Sequence, residues 1–238
     1  MSNQPFKFKQ FTINQDKCAM KVGTDGVLLG AWASTQHQPF SILDIGAGSG
    51  LVALMLAQRC NAEVVDALEI DDAAYEQCVS NFENSPWGDR LFCYHASLQE
   101  FVTEIDDEYD LIVSNPPFYS EDYKTENEQR DLARFTDAMP FEHLAYSGSK
   151  LLSEHGKFVV IIPFKETENF TSLATKYGLH LNEVLEIKGN PNSKIKRSLL
   201  EFSFKENTIK KSSLTIEEGR HEYTEEYKKL TQDFYLKM

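Results

Sequence analysis

From residue 40 onward, short apolar runs alternate with longer stretches whose apolar residues recur at helical spacing. The runs Ile42–Ile45, Val64–Ile70, Leu91–Tyr94, Tyr109–Val113 and Phe158–Ile162 read as strands buried on both faces. Between them, helices are expected over Leu51–Arg59, from Asp71 or Asp72, around Leu98–Val102, over Phe141–Ser153 and over Glu166–Lys176. That order builds a parallel sheet with crossover helices. Two more strands, Leu181–Ile187 and Ser198–Phe204, flank a polar loop at 188–194. Leu214–Ile216 is a possible short extension, and Thr224–Phe234 a C-terminal helix. The class expected is α/β: a doubly wound, Rossmann-like domain with a mostly parallel seven-stranded sheet, helices on both faces and antiparallel strands at the C-terminal edge. Residues 1–39 form an N-terminal extension ending in a helix at Gly26–Ala33. Residues 40–205 form the core, and 206–238 a C-terminal extension packed on the same domain.

Charge changes this picture more than composition does. The 238 residues include 37 acidic and 24 basic side chains, a net charge of -13. Residues 61–112 hold 14 of the acids against one base, Arg90, so the remainder is neutral. Such a balance excludes a protein that coats nucleic acid through uniform positive charge, but not one with a local basic surface. No apolar run approaches the roughly 20 residues of a membrane helix. The N-terminus lacks the apolar segment of a secretory signal, so a cytoplasmic protein is expected. Cys18, Cys60, Cys78 and Cys93 form no C-x-x-C pair and read as reduced core residues. The histidines are scattered, and no metal is expected.

Asp44-Ile45-Gly46-Ala47-Gly48-Ser49-Gly50 follows a strand and opens a helix. Glycines suit a backbone that must turn left-handed or let a ligand approach closely. Taken alone, the segment is also compatible with a tight connection and nothing more. A dinucleotide site would place its third glycine at position 51, which is Leu51. The G-x-G-x-G spacing after an acidic residue instead resembles motif I of the S-adenosylmethionine-dependent methyltransferases. There the turn passes beneath the methionine and ribose of a cationic cofactor, with which Asp44 is electrostatically compatible. Glu69, at the end of the second strand, stands where the resemblance implies a carboxylate accepting from both ribose hydroxyls. The acidic adenine contact that those enzymes commonly carry after the third strand is absent. Ser97 stands there, as an adenine contact or equally as a helix cap.

Asn115-Pro116-Pro117-Phe118 follows the fourth strand. Two prolines force the chain out of the sheet, and a rigid turn would explain them. The segment also resembles the [DNS]-P-P-[YFW] motif of methyltransferases that modify amino or amide nitrogen. An exocyclic adenine amine is a weak nucleophile because its lone pair is delocalised into the ring. The Asn115 side-chain oxygen and the Pro116 carbonyl can each accept one of its N–H groups and aim the lone pair at a methyl donor. Pro117 adds rigidity, and Phe118 offers a face for stacking a flipped base. No strong general base is required.

Adenine in RNA, adenine in DNA and a protein glutamine amide all suit that motif. The flanks discriminate. Phe8-Lys9-Gln10-Phe11, the stretch from Asp16 through Lys21-Val22-Gly23-Thr24-Asp25-Gly26 to Trp32, Ser85-Pro86-Trp87, Asn115–Tyr119, Arg130–Arg134 and Leu230–Tyr235 together resemble the bacterial tRNA(Val) adenine-37 N6-methyltransferase family over nearly the whole chain. The resemblance implies S-adenosylmethionine as cofactor, the anticodon stem-loop of tRNA as partner, and packing of Lys21, Thr24 and Asp25 over the cofactor. Protein-glutamine methylation is the main rival, yet only 39 residues precede the core, too few for a helical substrate domain. DNA methylation lacks a segment large enough for target recognition, and a non-enzymatic binding module is the remaining alternative. For RNA, phosphate contacts are expected from Lys194, Lys196, Arg197, Arg130 and Arg134, with Phe118 and Tyr119 holding the base. The other cations of 188–211 and Lys7, Lys9, Lys17 and Lys21 could border the same edge. A monomer is expected.

Overall fold

The computed structural model describes residues 4–117 and 139–237. Phe118, Tyr119, Arg130 and Arg134 therefore lie outside the described residues. The core begins with β3 (Ser41–Ile45), after a small hairpin of β1 (Phe6–Lys7) and β2 (Thr12–Ile13) and the helix α1 (Thr24–Trp32). It continues through α2 (Leu51–Arg59), β4 (Val64–Glu69), α3 (Asp72–Glu83), β5 (Leu91–His95), α4 (Leu98–Glu104) and β6 (Tyr109–Ser114). After the segment outside description come α5 (Phe141–Leu151), β7 (Leu152–Pro163), a short 3-10 turn at Phe164–Glu166 and α6 (Thr167–Lys176). The chain ends with β8 (His180–Lys188), β9 (Ile195–Ser203), β10 (Lys210–Thr215), the hairpin β11 (Glu217–Gly219) and β12 (Glu222–Tyr223), and α7 (Glu225–Thr231).

The main sheet has eight strands in the order β10-β8-β9-β7-β6-β3-β4-β5. The expected class is present, with one strand more than expected. β9 alone runs antiparallel, pairing β7 on one side and β8 on the other, while β10 pairs β8 in parallel. The antiparallel element is thus inside the sheet, and the edge strand runs with the majority. β10 was legible only as a fragment because Lys210–Ser213 is exposed and carries no apolar alternation. β7 also starts earlier than its apolar run, at Leu152, with a register shift against β6 between Tyr109 and Leu111.

The central strands feed both faces. Ile42, Val113, Val159 and Ile161 pack with α1 and α2; Leu43, Ile45, Ile112, Val160 and Ile162 pack with α5 and α6. The N-terminal hairpin and the tail hold one another: Phe8 bridges to Tyr235, and the Lys9 amide donates to the Phe234 carbonyl at 2.8 Å. Phe11 stacks on Phe8 and meets Trp87 edge-on. The scattered segments Phe8–Phe11, Ser85–Trp87 and Leu230–Tyr235 are therefore parts of one anchor, and that is the physical reason for their residue types.

Candidate active site

The strand order reverses between β3 and β6, which continue to β4 on one side and to β7 on the other. Open α/β sheets bind ligands at the carboxyl ends of their strands at such a point. Here Ile45 and Ser114 are register partners, and the buried Ser114 hydroxyl donates to the Ile45 carbonyl at 2.8 Å. Gly46 and Asn115, the next residues, therefore leave the sheet side by side.

The three glycines of the turn all have positive φ: 73° at Gly46, 56° at Gly48 and 79° at Gly50. Their surroundings differ. A Cβ on Gly46 or Gly48 would meet nothing within 4 Å, whereas one on Gly50 would come within 2.5 Å of Phe82 and 2.9 Å of the Cys78 sulfur. Gly50 is needed for packing against α3, while Gly46 and Gly48 present open backbone to the cleft. Burial pushes the Cys78 thiol well above its ordinary pKa, so it packs as a neutral apolar group.

Asp44 lies beneath this turn. It is 1% exposed, and one carboxylate oxygen accepts from the Ala53 amide in the first turn of α2 at 3.1 Å. Burial pushes its carboxyl up to about 7. Its bond to Ala53 ties the end of β3 to the start of α2 beneath the turn. Glu69 ends β4 at the same edge, its carboxylate accepting from Gly48 N at 2.7 Å and from the Ile70 and Asp71 amides at 2.9 Å. The carboxylate thus ties the strand end to the second glycine of the turn. Ser97 caps α4: its oxygen accepts from the Glu100 amide, and its hydroxyl donates to the Glu100 carboxylate at 2.7 Å. These bonds form a capping box, which leaves the hydroxyl oxygen one acceptor position.

Asn115 is half-buried, Pro116 buried and Pro117 exposed. Thr24 opens α1 and is exposed; Asp25, beside it, forms an ion pair with Arg197 at 2.8 Å. Arg197, at the start of β9, thus holds the N-terminus of α1 and is not a free surface cation. Lys21 donates to the Gln15 and Cys18 carbonyls, at 2.6 and 2.9 Å, and fastens its own loop. Lys194 and Lys196 are exposed in and just after the β8–β9 turn. That turn lies at the active edge, because Arg197 pairs with Pro163 at the carboxyl end of β7.

The grouping of other basic residues at this edge needs correction. β10 runs parallel to β8, so Lys210 and Lys211 sit at its amino end, and Lys205 follows the end of antiparallel β9. All three are at the far edge, and Lys211 is paired with Glu186 at 2.7 Å. Lys9 donates to the Gln232 carbonyl and Lys17 to Glu76, so neither is committed to the cleft.

Two polar residues on α3 complete the site without having been singled out in the sequence. Asn81, 1% exposed, accepts from the Asn14 amide and donates to the carbonyls of Asn14 and Ser49. Gln77 accepts from the Lys17 amide at 2.8 Å. They fasten residues 14–17 to α3 and to the glycine turn. The available signal is their spacing: Gln77 and Asn81 stand four residues apart on the face that also buries Ala74, Cys78 and Phe82.

A glycine turn at the switch point, a carboxylate ending the next strand and an Asn-Pro-Pro exit beside them stand in a sheet of the class I methyltransferase fold. The model of the methyltransferase small domain family matches residues 24–168. The chain belongs to the family of the tRNA1(Val) (adenine(37)-N6)-methyltransferases: it is 64% identical to that enzyme of Flavobacterium johnsoniae, over 98% of this chain and 100% of the relative. It is 61% identical to that of Christiangramia forsetii over the full length of both. Among solved structures, a predicted O-methyltransferase from Agrobacterium tumefaciens superimposes with a TM-score of 0.67 at 18% identity, covering 88% of this chain and 96% of that one; it supports the fold alone.

Proposed function

We propose that this protein methylates N6 of an adenine in tRNA, adenine 37 beside the anticodon of tRNA1(Val), with S-adenosylmethionine as methyl donor. The observation that carries this is the juxtaposition of Asn115-Pro116 with the open glycine turn at the ends of two paired strands. Family membership supplies the substrate.

The residues present fit the cofactor. Gly46 and Gly48 leave room where any side chain would intrude, and Glu69 presents a carboxylate suited to a vicinal diol. When bound, S-adenosylmethionine supplies an electrophilic methyl group on a sulfonium. Asp44 keeps its place beneath the turn, and Lys21, Thr24 and Asp25 belong to the segment proposed to cover the cofactor. Asn115 and the Pro116 carbonyl accept the two amine hydrogens and orient the nitrogen lone pair for in-line transfer. As the N–C bond forms, the S–C bond of the donor would break with its electron pair left on the neutral thioether, and the acidified nitrogen would release its proton to water, so no side chain must act as a strong base. Phe118 and Tyr119 are proposed to hold the base, with Lys194 and Lys196 and the arginines Arg130 and Arg134 at phosphates. Among the described residues no cluster of three or more metal-ligating side chains occurs, and no helix is long and apolar enough to cross a membrane.

Incubation with radiolabelled cofactor and, separately, total tRNA, duplex DNA and a release factor tests the substrate class. Label in tRNA, mapping to N6-methyladenine beside the anticodon, is expected; label in protein alone would overturn it. Asn115→Ala should lower kcat by about a hundredfold or more, the scale of losing one transition-state hydrogen-bonding group. Cofactor affinity measured by calorimetry should stay within a few-fold.

A further inference from the structure

Phe164 is a large apolar residue with an exposed face at the active edge. It opens the 3-10 turn Phe164–Glu166, directly after Pro163 ends β7, and remains 38% exposed. Its ring stacks on no other aromatic side chain among the described residues. The turn beneath it is held rather than loose: it packs against β9, and the Thr167 hydroxyl donates to Ser198 at 2.8 Å. Pro163, the residue before Phe164, pairs with Arg197, the residue after the exposed Lys196, so the turn starts at the same end of β9 as Lys196. Lys165 is the next residue in the turn and is also exposed. The neighbouring strand β6 ends at Ser114, which pairs with Val160 of β7, and Asn115 follows it directly. An aromatic face on a held turn, with exposed Lys165 next to it in sequence, exposed Lys196 at the same end of the adjoining strand and the proposed amine-binding residue one strand away, has the composition of a single-stranded nucleic-acid platform.

We propose that Phe164 stacks an unpaired base adjacent to the target adenine, while Lys165 and Lys196 meet the phosphates on either side of it. This rests on the tRNA reading of the active site. An exposed aromatic face gains from a base whatever its identity, because every base has a π-face, whereas the cations track the backbone. The target base itself is taken at Asn115, so Phe164 acts on the neighbour and fixes how far the strand is drawn across the edge. Its contribution belongs to substrate capture.

Steady-state methylation of a synthetic anticodon stem-loop by wild type, F164A and F164W tests this. Each is assayed on the natural loop and on loops with an abasic nucleotide immediately 5′ or 3′ of the target. F164A should raise KM for the stem-loop by about tenfold, the scale of losing one base–aromatic stack. The kcat, the cofactor affinity and the melting temperature should stay near wild type, and F164W should restore KM. On one of the two abasic loops the difference between wild type and F164A should vanish. An unchanged KM in F164A, or a tenfold loss persisting on both abasic loops, would overturn the role of Phe164 while leaving the tRNA activity standing. Absence of methyl transfer by wild type to the natural stem-loop and to total tRNA would overturn the substrate reading and this proposal with it.

Discussion

The three glycines of the turn share a motif but not a task. Gly46 and Gly48 face open space, and Gly50 is wedged against Phe82 and Cys78. All three have positive φ, so alanine at any of them meets a backbone penalty of about 1–2 kcal/mol. Gly50→Ala adds a collision with a packed aromatic ring, and overpacking costs about 1–3 kcal/mol more. Gly48→Ala adds a methyl group to the proposed cofactor cleft and, through Gly48 N, disturbs the bond to Glu69. Gly50→Ala should therefore show the greater fall in melting temperature, and Gly48→Ala the greater loss of cofactor affinity per degree lost. Parallel thermal melts and calorimetric titrations check the pair; equal ratios in the two variants would mean that the motif acts only as a turn. This division was not legible from the spacing of the glycines, because it depends on Phe82, which arrives from α3. Glu69 was legible as a strand-ending carboxylate, but its bonds to Gly48, Ile70 and Asp71 are facts of three dimensions. Ser97 shows the converse: of the two roles its position left open, the helix cap needs only local sequence, and it is formed as a capping box with Glu100.

Between elements, β4 and β6 are not neighbours in the sheet, yet the Tyr109 hydroxyl reaches Asp66 Oδ2 at 2.7 Å across β3. The other oxygen of Asp66 is buried with no hydrogen-bond partner among the described residues. Burial raises its pKa from 3.8 to about 6, outweighing the bond from Tyr109. The folded protein thus holds this proton more tightly than the unfolded chain does. Its favourable contribution is full below about pH 3.8, fades as pH rises and is gone above about pH 6. Asp66→Asn keeps an acceptor for Tyr109 and removes the ionisation. The melting temperature of the variant relative to its parent should climb between pH 4 and about pH 6 and level off above that, as read by thermal melts across the range; a difference independent of pH would refute the buried ionisation. Elements of this sheet were legible where apolar periodicity was strong, as in β3, β4 and β6. They were illegible where pairing alone decides, in the two-residue strands β1 and β2 and the exposed β10, and at the polar start of β7, Ser153–Gly156, where the register against β6 shifts.

At the scale of the molecule, the acidic block and the useful cations occupy different parts of one sheet. Residues 61–112 build β4, α3, β5 and α4 at one side edge and the start of the central β6, while Lys188, Lys194 and Lys196 surround the β8–β9 turn toward the other side. The remaining lysines of 188–211 lie at the opposite end of the strands or in ion pairs, so the positive surface is smaller than the linear sequence implies. On the proposed tRNA reading, the net charge of -13 is a repulsive background against which these lysines offer one attractive corner. Arg197 cannot be used to probe this surface cleanly, because its partner Asp25 sits in the first turn of α1. Lys194 and Lys196 can. If each neutralises one phosphate, changing both to Gln should flatten the dependence of log affinity on log salt by about 1.5, since each contact contributes roughly 0.7–0.9. Asp106→Asn with Asp107→Asn, on the exposed loop after α4, alters net charge by the same amount in the opposite direction. That pair should leave the slope unchanged, because charges beyond a Debye length of about 10 Å shift binding only through the screened background. Filter-binding titrations of the tRNA from 50 to about 200 mM salt separate the two cases. Slopes that move equally and oppositely in the two double variants would show that tRNA responds to net charge alone, and that the corner next to Asn115 is not where its backbone lies.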